Sequence, residues 1–151
     1  MHKTTVTRVL PYSPEQLFEL VGDVERYPEF VPWVATMRVW NRAQPAAGVT
    51  GLDAEAGVKF AFLKEKFATR VRRDANRRTI EVSLLYGPFK RLSNGWRFIP
   101  EGEVTRVEFV IDFAFKAKLL DAMLAANIDK AANKLIACFE DRARQVYGEI
   151  G

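Results

Sequence analysis

Between Lys116 and Tyr147 the apolar residues Leu120, Leu124, Ile128, Ala131, Leu135, Cys138, Phe139 and Val146 recur at steps of three and four. That spacing predicts one amphipathic helix with a single apolar stripe. Lys130, Asn133, Lys134, Glu140 and Arg144 fall on the opposite side, toward water. No proline interrupts the pattern, so the helix is expected to run unbroken for about thirty residues, roughly 45 Å at 1.5 Å per residue. Its start has no capping side chain in Phe115-Lys116-Ala117, although Asp121 has the sign that the helix dipole favours. Arg142 lies within the stripe and is expected to snorkel from final turns that overhang the sheet.

Most of the chain before that helix alternates instead. Thr4 to Leu10 reads as a strand ended by Pro11. Ser13-Pro14-Glu15-Gln16 is a helix start, with Ser13 as N-cap, Pro14 in the first turn and Gln16 closing a capping box. Leu17, Leu20 and Val21 give this helix its buried side; Asp23 is expected to cap a second short helix that Pro28 stops. Strands then come at Val34–Trp40, through Leu52–Phe62, and at Lys66–Arg73, Thr79–Tyr86, Lys90–Ile99 and Val107–Phe115. Alternation points Phe67, Thr69 and Val71 inward, then Ile80, Val82, Leu84 and Tyr86, then Leu92, Trp96 and Phe98. Small residues at Ala54, Ala56 and Gly57 leave room on the sheet. The predicted fold is α+β: a curved antiparallel sheet wrapped around one long helix, with two short helices after the first strand.

A chain of 151 residues fits one domain spanning 1–151 and can bury a proper core. Eleven Phe, three Trp and four Tyr suffice for an aromatic core or a lipid-sized cavity. The net charge of +4 tilts the partners toward anions. A single cysteine allows no internal disulfide, and neither a signal peptide nor a span of transmembrane length is found, so a cytoplasmic protein is expected.

Catalytic parts are scarce. His2 is the sole histidine, placed at a terminus and expected to be mobile; Cys138 lacks a partner and reads as a small buried hydrophobe. Phosphate-loop, dinucleotide and nucleophile-elbow patterns are missing, and no basic recognition helix for DNA comes after the helical corner. The basic hairpin holds more information. Lys64, Lys66, Arg70, Arg72, Arg73, Arg77 and Arg78 face only Glu65 and Asp74. They read either as the solvated face of a sheet or as a phosphate-docking patch. The apolar pair Phe62-Leu63 beside them favours a membrane over RNA.

Three segments carry a family resemblance: VLPYSPEQLFELVGDVERYPEFVPW, LLYGPFKRLSNGWRFIP and FVIDFAFKAKLLDAM. They resemble the coenzyme Q-binding family of START-like (polyketide cyclase/dehydrase-like) domains, over nearly the whole chain and in the same order. The resemblance implies a helix-grip fold, with a seven-stranded sheet around a long C-terminal helix. It also implies a non-enzymatic role without a catalytic cofactor: ubiquinone binding by lipid chaperones that support respiration. A bacterial branch of the family is named for ribosome association, which implies the large ribosomal subunit as a partner. A small-molecule cyclase is the third reading.

The expected lining of a ligand pocket is Trp33, Phe60, Leu84, Tyr86, Trp96, Phe113, Leu120, Met123 and Leu124, with Tyr86, Asn94 and Asn127 as polar groups for quinone oxygens. A docking surface for an anionic membrane or RNA is expected at Phe62, Leu63, Lys64, Lys66, Arg70, Arg72 and Arg73, making the protein peripherally membrane-associated.

Overall fold

The computed structural model describes residues 2–60 and 63–148, and, at the β3–β4 tip, only the backbone of residues 60 and 63. Seven strands form a single antiparallel sheet: β1 (His2–Leu10), β2 (Val34–Ala46), β3 (Val49–Phe60), β4 (Leu63–Asp74), β5 (Thr79–Tyr86), β6 (Phe89–Glu101) and β7 (Val104–Phe115). Strands β2 to β7 meander, and β1 returns to pair with β7, giving the order β1-β7-β6-β5-β4-β3-β2. Alternation holds along most of β7, where Val107, Phe109 and Phe113 are buried, and ends where Ala114 is buried between Phe113 and Phe115. The expected helix-grip architecture is present, with the helices gathered after β1 and at the C-terminal side.

Helix α1 (Pro14–Gly22) begins with the full capping box: the Gln16 backbone N–H donates to Ser13 Oγ at 3.1 Å, and Gln16 Oε1 accepts from the Ser13 N–H at 3.0 Å. The second short helix is a 3₁₀ turn, Val24–Glu29, and it departs from expectation twice. Asp23 makes no side-chain cap there and pairs with Arg26 at 3.1 Å instead. Pro28 lies inside the turn rather than ending it.

The long helix is broken. Helix α2 (Lys118–Ala125) and helix α3 (Ile128–Tyr147) meet at Ala126-Asn127, where Asn127 leaves helical geometry at φ −124° and ψ 13°. The Asn127 side-chain amide donates to the Met123 carbonyl at 2.9 Å, and its backbone N–H donates to Leu124 O at 3.1 Å. An asparagine that bonds the preceding turn competes with the helix ladder, which is why no proline is needed. The break re-phases the residues of α3. Ala132, Ile136, Phe139 and Ala143 form its buried stripe, whereas Ala131 is exposed and Val146 is 52% exposed. Arg142 does not merely snorkel: it donates to Glu29 at 2.8 Å and lies 5.0 Å over the Phe30 ring, joining α3 to the 3₁₀ turn.

The core divides into two clusters. The larger lies under α1 and α3, around Leu17, Val71, Ile80, Trp96, Phe109, Ile136 and Phe139. The smaller lies under α2, where Phe89, Leu92, Phe113 and Phe115 pack with Phe67, Leu84, Leu120 and Leu124. Ile111 touches both. The aromatic stack of the second cluster depends on Gly87, at φ +147°, since a Cβ there would sit 2.5 Å from Phe67 Cβ.

Candidate functional site: an apolar cavity beneath the broken helix

A cavity of about 880 Å³ separates the concave face of the sheet from α2 and the first turns of α3. Strands β3 to β7 supply the floor, with Ala54, Ala56, Thr69, Val82, Asn94 and Ile111. The small residues of β3 contribute room on the face they share with Leu52 and Val58. Leu120, Met123, Leu124, Asn127 and Ile128 form the opposite wall, and Trp33, Trp96 and Phe113 complete it. Trp96 packs between aromatic rings: its ring centroid is 4.2 Å from Phe109 and 5.3 Å from Phe139.

Two residues expected at the wall lie elsewhere. Leu84 points inward but packs into the smaller core cluster without lining the cavity. Tyr86 is on the opposite face of the sheet, 46% exposed, with its hydroxyl donating to Glu55. The cause is a register shift between Ala68 and Thr69: Ala68 pairs with Tyr86 but Thr69 with Leu84, so Leu85 is the extra residue of a bulge. One extra residue turns the next side chain to the other face. The Glu55 carboxyl, accepting this hydrogen bond and facing Arg38, is held below its ordinary range, and the tyrosine is pushed up in turn. The side chain of Phe60 and all of Phe62 lie outside the described residues, as does the side chain of Leu63.

Polar groups on the cavity wall are few. Thr69 is buried at 7% exposure, and neither its hydroxyl nor the Asn94 amide has a hydrogen-bond partner among the described residues. Alternation had placed Thr69 inward, and a single hydroxyl between Phe67 and Val71 was the available signal. Tyr27, contributed by the 3₁₀ turn, also reaches the wall. Its hydroxyl donates to Val21 O, and burial pushes its pKa far up, which leaves it a neutral donor already in use. Lys130 and Lys134 stand at the rim.

Helix α2 closes one side of the cavity on few attachments. None of its residues is fully buried and Ala117 makes no cap. Asp121 supplies the link, accepting from the Phe115 N–H at 2.9 Å and facing His2 Nε2 at 2.7 Å. These partners, His2 first, hold its carboxyl below the usual range. Where a mobile terminus was expected, His2 is part of β1, paired with Phe113, and its ring lies 5.3 Å from the Phe113 ring.

The basic hairpin is largely committed within the protein. Arg70 donates to Asp53 at 3.0 Å, and Arg73 turns inward to Gly22 O at 2.9 Å and Thr50 Oγ1 at 3.0 Å. Arg77 pairs with Asp74 and Arg78 with Glu15. Lys64, Lys66 and Arg72 remain exposed, without an ion pair among the described residues. Asp112, a carboxylate in mid-strand, pairs with Arg91 at 3.1 Å on the outer face. Among the described residues no three His, Cys, Asp or Glu side chains group so as to hold a metal, and burial pushes the Cys138 thiol up.

The family model described as polyketide cyclase / dehydrase and lipid transport matches residues 10–140. The chain belongs to this family. Within it, the chain is 33% identical over 143 residues to the ribosome association toxin RatA of Rickettsia prowazekii, covering 93% of this chain and 94% of that protein. It is 34% identical over 148 residues to RatA of Escherichia coli, covering 97% and 90%. The coenzyme Q-binding protein COQ10 homolog B, mitochondrial, of Xenopus laevis is 27% identical over 146 residues, covering 94% of this chain and 58% of that protein. Among solved structures, the 18 kDa protein CC1736 of Caulobacter crescentus is 68% identical with a TM-score of 0.83, covering 99% of this chain and all of that one. A START superfamily protein from Mycobacterium smegmatis, 20% identical with the same TM-score over 97% of this chain and 99% of its own, shares the fold. The cavity thus lies in a family whose similar members include proteins named for ribosome association and for coenzyme Q binding.

Proposed function

We propose that this protein is a non-enzymatic lipid carrier whose cavity takes the head and first isoprene units of a ubiquinone-type prenylated quinone. The observation that supports it is the cavity itself: about 880 Å³, walled by aromatic and aliphatic side chains, with Thr69 and Asn94 unpartnered on its floor among the described residues. That volume is near the top of the range of about 300–1,000 Å³ for small-molecule sites. An apolar site with one or two convergent polar groups suits a ligand with a hydrocarbon body and carbonyl oxygens. The Asn94 amide and Thr69 hydroxyl are donors for such oxygens. A long tail would stay partly outside.

Turnover has little to work with. Among the described lining residues the titratable groups are Tyr27, already donating to Val21 O, and the rim lysines Lys130 and Lys134. A cyclase needs an acid or base over the reacting atoms. The quinone reading is tested by denaturing extraction of the purified protein and mass spectrometry, expecting about one prenylated quinone per chain. Repeated absence of quinone, from cells that contain it, together with no quenching of Trp96 by added short-chain ubiquinone, overturns it.

Ribosome association is the second reading. It is favoured by the names of the relatives at 33–34% identity and by the exposed lysines of the surface. Cosedimentation with large ribosomal subunits at physiological salt tests it. Binding there by a protein that carries no lipid would make this the better account.

A further inference from the structure

The charges of this protein are sorted by residue type. Twelve of its fourteen arginines pair with carboxylates. None of its nine lysines forms an ion pair among the described residues. Six of the nine are also sorted by position. Lys59, Lys64 and Lys66 sit toward the free end of the β3–β4 hairpin, and Lys59 is paired in register with Lys64. Lys90 comes after Phe89, which pairs with Phe115, and the Lys116 N–H donates to Pro88 O at 2.9 Å. Lys118 opens α2. The antiparallel registers bring these ends of β3, β6 and β7 to one end of the sheet, the end that α2 covers.

Helix α2 is apolar on two sides. Leu120 and Leu124 face the cavity. On the outside Leu119 and Ala122 are exposed, Leu119 at 77%, and Met123 at 41% and Ala126, which also line the cavity, carry this apolar face round to the cavity rim. A helix that is apolar on both faces is not a solvated surface helix, so its outer face calls for an apolar partner. Lysines around exposed leucine and methionine are the complement of an anionic lipid surface, where ammonium groups meet headgroups and the apolar side chains enter the acyl boundary. RNA would use the lysines but offers nothing to Leu119.

We propose that the outer face of α2, with Leu119 at its centre, Met123 at its cavity edge and Lys116 and Lys118 beside them, docks this protein on an anionic bilayer. This rests on the lipid-carrier reading and supplies what it lacks. Moving a tail from bilayer to protein gains almost nothing, because both are apolar, so a carrier works by lowering the barrier to transfer. Docking through α2 places the cavity wall formed by Leu120, Met123 and Leu124 against the lipid source.

The test is cosedimentation of the full chain with vesicles of phosphatidylcholine alone or mixed with phosphatidylglycerol, beside a loading assay with short-chain ubiquinone in detergent. The wild type should bind mixed vesicles at roughly 0.1 M salt and lose much of that binding at several-fold higher salt, as screening shortens. One lysine near an anionic leaflet contributes a factor of about five in affinity, so Lys116→Glu with Lys118→Glu should weaken binding at least roughly tenfold. Leu119→Ser should weaken it at every salt concentration. Loading in detergent should be unchanged in all three substitutions, since none of these residues lines the cavity. Undiminished vesicle binding by both variants overturns the proposal, as does binding to ribosomal subunits without binding to vesicles. Vesicle binding without loading upholds the docking face and overturns the carrier reading alone.

Discussion

His2 Nε2 lies 2.7 Å from the Asp121 carboxylate, so the first strand of the sheet holds down the helix that walls the cavity. Asp121 also accepts from the Phe115 N–H, and both contacts are stronger with its charged form. Its folded-state pKa is lowered, so the stabilisation is complete above the ordinary carboxylate range and disappears as pH falls through the depressed value. Amide exchange within Lys118–Ala125 should therefore speed up in acid before exchange in the core of α3 does. Asp121→Asn should show the faster α2 exchange already at neutral pH. Equal protection in the variant and the parent would mean that packing alone retains α2.

Trp96 belongs at once to the core and to the cavity wall, 5% exposed and in contact with Phe109 and Phe139. Trp96→Ala should lower unfolding stability by about 3–5 kcal/mol, the usual cost of truncating a large buried aromatic. Quinone uptake should fall with it. Denaturant unfolding and fluorescence-independent uptake, measured on the same preparation, check both parts; an unchanged midpoint contradicts the packing described.

Asn94 and Tyr86 make a matched pair. Asn94→Leu should reduce quinone affinity about fivefold, the worth of one neutral hydrogen bond of about 1 kcal/mol, with little loss of stability because the amide has no partner to abandon among the described residues. Tyr86→Phe should leave affinity unchanged, since its hydroxyl serves Glu55 on the outer face. Isothermal titration with a short-chain quinone decides this; the reverse ranking would mean that β5 carries no bulge.

Arg72 and Arg73 are neighbours with opposite fates. Arg73→Glu removes the donors to Gly22 O and Thr50 Oγ1 and should cost about 1–3 kcal/mol. Arg72→Glu, on the solvent side, should stay within roughly 0.5 kcal/mol. Thermal melts of the two single variants separate a structural arginine from a surface one.

Much of this molecule is legible in the chain alone. Strand identities and inward faces, the Ser13–Gln16 capping box and the room at Ala54 and Ala56 come from local rules: a period of two, a three-residue cap spacing and side-chain size. Such signals repeat along a segment, so one exception does not hide them. Tertiary structure decided the rest wherever a single residue shifted the phase. Leu85 adds one residue to β5 and moves Tyr86 off the cavity; Asn127 bonds back to Met123 and turns one helix into two, with different buried stripes. It also decided which charges are free. Lysine and arginine look alike to a net charge, but only the folded arrangement brings a carboxylate to Arg70 and a carbonyl to Arg73 while leaving Lys64, Lys116 and Lys118 exposed. Ion pairs form between residues far apart in sequence, so neither spacing nor composition contains them.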